Sequence, residues 1–125
     1  MQEQLISFET AKLAKEKRFY ESCFYYFSLE GDEKEFIEDG YYFKSLGENG
    51  RLILRPTQAL LQKWLREKHN IDIDIRLNQF GYGYMYAINN IKSCENIIEL
   101  KGGPNYKWTY EEALEIALKQ SLKLI

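Results

Sequence analysis

Residues 56–91, PTQALLQKWLREKHNIDIDIRLNQFGYGYMYAINNI, decide the fold, because they read as a helix running straight into a β-hairpin. Pro56 suits the first helical position and Thr57 suits the cap, so a helix start is marked there. Leu60, Leu61, Trp64 and Leu65 then share one face, while Gln62, Lys63, Arg66 and Glu67 point elsewhere. Asn70 is a natural left-handed stop. Ile71-Asp72-Ile73-Asp74-Ile75-Arg76-Leu77 alternates strictly, which predicts a strand with one apolar face and one wet face. After a turn at 78–81, residues 82–88 return with the same period of two.

Working outward, the C-terminal side predicts a third short strand at 97–100, ended by Gly102-Gly103-Pro104. A final helix follows from Thr109-Tyr110-Glu111-Glu112, a capping box in which Thr109 and Glu112 satisfy each other's free backbone N–H groups. Its apolar positions Tyr110, Ala113, Leu114, Ala117, Leu118, Ser121, Leu122 and Ile125 form a broad stripe suited to packing on a sheet. On the N-terminal side, Ser7 caps a short helix reaching about Lys17. CFYYFSL (23–29) reads as a strand, and EGDEKEFIEDG (30–40) as a long acidic loop rather than a tight hairpin, with room for a strand through Phe36 and Ile37. YYFKSL (41–46) and RLILR (51–55), separated by GENG, predict a hairpin.

These elements give a single α+β domain over residues 1–125, in the order α-β-β-α-β-β-β-α, with the acidic loop open to a further strand. One mostly antiparallel sheet carries helices packed on one face. The chain of 125 residues is long enough for one hydrophobic core, and a 45% hydrophobic, 29% charged composition excludes wholesale disorder. A net charge of −2 carries no overall bias towards nucleic acid or anionic membrane. Cys23 and Cys94 lie outside any C-x-x-C spacing and read as reduced core residues. No secretory leader and no membrane-spanning apolar run is visible, so a cytoplasmic location is expected.

Chemistry is sparsely marked. His69, the single histidine, suits a helix C-terminus, where its charge complements the dipole. Asp72 and Asp74 share a strand face and could approach a divalent ion, but a pairing with Arg76 explains them more simply. No nucleophile motif surrounds a serine or cysteine, and Gly81-Tyr82-Gly83 falls short of a phosphate loop. No catalytic residue, metal ligand or cofactor is assigned. The chain is expected not to be an enzyme, a small hydrolase being the remotest alternative.

Two surfaces remain. Tyr82, Tyr84 and Tyr86 line one side of a strand; exposed, they would stack bases, with Lys63 and Arg66 on phosphates, and turned inward they are core. Glu30, Asp32, Glu33, Glu35, Glu38 and Asp39 stand against Lys34 alone, followed by a basic run of Arg51, Arg55, Lys63, Arg66 and Lys68 against Glu67. Such runs are commonly solvated faces. The functional alternative is an acidic surface, flanked by Phe36, Tyr41 and Tyr42, that competes for a basic groove on another protein.

Pro56-Thr-Gln-Ala-Leu-Leu-Gln-Lys-Trp-Leu-Arg-Glu67 with His69-Asn-Ile71, Tyr110-Glu-Glu-Ala-Leu-Glu115, Leu122-Lys-Leu-Ile125 and Ser7-Phe-Glu-Thr-Ala-Lys-Leu13 together resemble a family of small phage- and prophage-encoded proteins of Bacteroidetes-type bacteria. The resemblance covers about half the chain and leaves residues 30–50 and 92–107 without counterpart. It implies an accessory protein of a mobile element, acting in the cytoplasm of the infected or lysogenic host. Partners implied by analogy are a CRISPR effector or another nuclease, bound and inhibited by protein–protein contact, or RNA or a signalling nucleotide that is sequestered. No family catalytic residues carry over.

Overall fold

The structure, a computed structural model, describes residues 4–35, 46–78, 83–102 and 107–125. The elements are α1 (Phe8–Glu16), β1 (Tyr25–Phe27), β2 (Glu33–Glu35), β3 (Ile53–Arg55), α2 (Gln58–His69), β4 (Ile71–Leu77), β5 (Tyr84–Asn90), β6 (Asn96–Gly102) and α3 (Tyr110–Leu124). The class is α+β. Every strand pairing among the described residues is antiparallel, and the strands divide between two three-stranded sheets, β2-β1-β3 and β4-β5-β6, instead of joining in one. The chain divides into two compact units, Met1–Ala59 and Leu60–Ile125.

In the first unit, Ser7 caps α1 by accepting the Thr10 N–H at 3.3 Å. The helix ends in a Schellman turn. Phe19 N donates to Ala14 O at 2.9 Å and Arg18 N to Lys15 O at 3.0 Å, with Arg18 left-handed at φ 65°. Phe19 and Ala14, both buried, stand at the two positions where an apolar contact commonly accompanies such an ending. α1 packs on β3, and Phe8 meets the Phe27 ring edge-on with centroids 5.1 Å apart.

Among the described residues β3 pairs with β1, Tyr26 opposite Leu54, and Leu46, expected to end the first strand of a 41–46 with 51–55 hairpin, is helical within a turn at 46–48. Gly47 belongs to that turn because a Cβ there would lie 2.7 Å from Leu54 Cδ1. Residues 41–45 lie outside the described residues. The N-terminal segment continues the pairing beyond β3: Gln58 N donates to Gln4 O at 2.8 Å and Ile6 N to Pro56 O at 3.2 Å.

α2 starts at Gln58, directly after Thr57, lies in the second unit from Leu60 onward, and stops where Asn70 turns left-handed at φ 57°. Asn70 O also accepts the Ile91 N–H at 2.8 Å, tying the helix end to the β5–β6 turn. β4 and β5 pair in unbroken register from Ile71 with Asn90 to Leu77 with Tyr84. β6, predicted at 97–100, extends from Asn96 to Gly102 and carries two register shifts against β5. The Thr109–Glu112 capping box forms as the sequence requires, with both bonds present at 3.2 and 3.1 Å. α3 packs on β4 and β5, burying Ala113, Leu114, Ala117, Leu118, Ser121 and Leu122. At roughly 25 cal/mol per Å2 of apolar surface, that stripe is a main source of the unit's stability. No helix among the described residues is long and apolar enough to cross a membrane.

Candidate protein-interaction surface

The acidic run is not a plain loop over its described part. Residues 28–32 close a tight hairpin between β1 and β2, with Phe27 opposite Glu33 and Tyr25 opposite Glu35. Ser28 N donates to Asp32 O at 2.9 Å, Gly31 N donates to Ser28 O at 3.0 Å, and Gly31 is left-handed at φ 98°. That is a three-residue connection, Leu29-Glu30-Gly31, with glycine at the position that needs a positive φ. Phe8 also comes within 3.2 Å of where a Gly31 Cβ would sit, so two constraints select glycine. The signal was present as Glu30-Gly31-Asp32, but the run of charges around it reads as loop. Asp32 helps fasten the turn, its N–H donating to Ser28 Oγ at 3.0 Å.

Glu30, Asp32, Glu33, Lys34 and Glu35 are all exposed. β2 lies at an edge of its sheet, pairing with β1 alone among the described residues. An edge strand made of Glu-Lys-Glu resists pairing with other chains non-specifically, so part of this charge has an architectural reason. Alternation puts Glu33 and Glu35 on the face shared with Phe27 and Arg55, and Lys34 on the other with Tyr26. Phe36, Glu38, Asp39, Tyr41 and Tyr42, together with the strand expected through Phe36 and Ile37, lie outside the described residues.

Arg55 is not part of a solvated basic face. Its Nε donates to Ile6 O at 2.7 Å, its guanidinium sits 4.6 Å from the centre of the Phe27 ring, and its NH1 nitrogen approaches Glu33 Oε1 at 3.3 Å. With its side chain only 17% exposed, it ties the N-terminal segment, β1, β2 and β3 together. Sequence reading missed this role, because Ile6, Phe27 and Glu33 meet only in the fold. Lys63 and Arg66 are exposed on α2, with Lys63 4.0 Å from Glu67 one turn later.

Of the described members of the tyrosine ladder, Tyr86 turns inward and Tyr84 is half-buried. Tyr86 is 4% exposed and stacks on Trp108 with centroids 6.1 Å apart; Tyr84 meets Tyr110 edge-on at 5.6 Å. Ile88, on the same side, is fully buried. Burial pushes the Tyr86 hydroxyl above its ordinary pKa. Tyr86 is core, and Tyr84 is half-buried against Tyr110, itself exposed; Tyr82 lies outside the described residues.

The remaining candidates read as architecture. Asp74 Oδ2 pairs with Arg76 Nε at 2.7 Å on the β4 face opposite the isoleucines. His69 packs edge-on against Trp64, centroids 4.7 Å apart, in the last turn of α2. Among the described residues no three His, Cys, Asp or Glu side chains gather as a metal site. Both cysteines are free. Cys23 is buried, and loss of hydration pushes its thiol up to about 11 against the bonds from backbone groups of Tyr25 and Arg55. Cys94 departs from the core expectation: it is exposed, in the β5–β6 turn, at φ 60°. No protein-family model, curated protein or solved structure matches this chain.

Proposed function

We propose that the protein is a non-enzymatic binding protein that presents its acidic β1–β2 hairpin to a basic surface of another protein. The observation that carries this reading is the exposed set Glu30, Asp32, Glu33 and Glu35 on a hairpin whose turn is fastened by hydrogen bonds of Ser28 and Gly31 and whose Glu33 meets Arg55. The summed field of these carboxylates speeds encounter with a cationic partner. Basic grooves of that kind are what nucleic-acid-binding proteins expose. Together with the resemblance to phage-encoded proteins, this favours a host factor as partner, foremost a nucleic-acid-directed defence effector inhibited by occupation of its groove, as an anti-CRISPR protein would do.

The RNA- or nucleotide-binding alternative would rest on Lys63 and Arg66, since the Tyr84 and Tyr86 rings are already packed. Affinity capture from bacterial lysate, with and without nuclease, separates the two readings. Recovery of a basic protein that survives nuclease treatment supports inhibition by protein contact. Recovery of RNA or a nucleotide alone would overturn it.

A further inference from the structure

No further inference is drawn: the strongest candidate, the outer edge of β6 with Ile97 and Leu100 exposed beside the Ile91 turn, has two bulges that break the regular row of groups a second strand would pair with, and nothing in the structure shows what covers it.

Discussion

Replacing Arg55 tests whether the acidic hairpin is braced from behind. Arg55→Met keeps an unbranched apolar side chain of similar length but removes the guanidinium that lies over Phe27. The change deletes a charge-assisted bond to Ile6 O, and Ile6 is fully buried, so its carbonyl loses a partner where water is scarce. Such a loss costs about 1.5–3 kcal/mol. The cation–π contact adds about 0.5–1 kcal/mol. The ion pair with Glu33 adds little, because that carboxylate is 73% exposed. Allowing for overlap between these terms, the expected destabilisation is about 2–3 kcal/mol. Arg55→Lys retains the charge but not the planar fork, and should recover less than half of that loss, on the order of 1 kcal/mol.

Urea unfolding followed by far-UV circular dichroism is the suitable assay. A lysine variant as stable as the parent would refute the geometric argument, and a methionine variant within about 0.5 kcal/mol of it would refute the brace altogether.

Other outcomes follow from single positions. Arg18→Gly should stabilise by about 1 kcal/mol, because Arg18 occupies the left-handed Schellman position at φ 65° where glycine carries no steric cost; a thermal melt with no rise contradicts this. Ser121→Ala should stabilise by roughly 1 kcal/mol, since the Ser121 hydroxyl is fully buried with no hydrogen-bond partner among the described residues and alanine is the better helix former; destabilisation would mean the hydroxyl is satisfied. In the native protein at pH 8, Cys94 should react with a disulfide reagent at once and Cys23 only on unfolding; two equally fast thiols would contradict the burial of Cys23. The folded state holds the Cys23 proton to about pH 11, whereas the unfolded chain releases it near 9.0. The stability it contributes is therefore intact below 9.0 and is lost as pH rises through about 11, a fall that Cys23→Ala should flatten when unfolding midpoints are compared.

Features with local causes were legible in the sequence. The Ser7 cap, the Thr109–Glu112 box and the Asn70 stop each depend on residues within a few positions and appear as the pattern requires, whereas the alternation of β4 holds at Ile71 and Ile73 and fades to a half-buried Ile75 and an exposed Leu77 at the strand's end. The pairing of 25–27 with 53–55 was not legible, because no local turn chemistry links strands so far apart. The β1–β2 hairpin was readable from Gly31 in principle, but charged strand residues have low β-propensity and mask the turn. Arg55 looked like one cation in a basic run. Its bond to a carbonyl 49 positions earlier is a tertiary fact with no sequence signature. The candidate surface was legible as composition; the hairpin that displays it came from the fold.

The most direct test exchanges charge on the hairpin without touching its fastenings. Glu30→Lys with Glu35→Lys leaves Asp32 on Ser28 and Glu33 on Arg55. Binding of parent and variant to the protein captured from lysate would be measured from low to high salt. The parent should bind more weakly as salt rises, and the variant should lose about tenfold or more in affinity at low salt, with a flatter salt dependence. Equal affinity and equal salt dependence would contradict the assignment of the acidic hairpin as the contact.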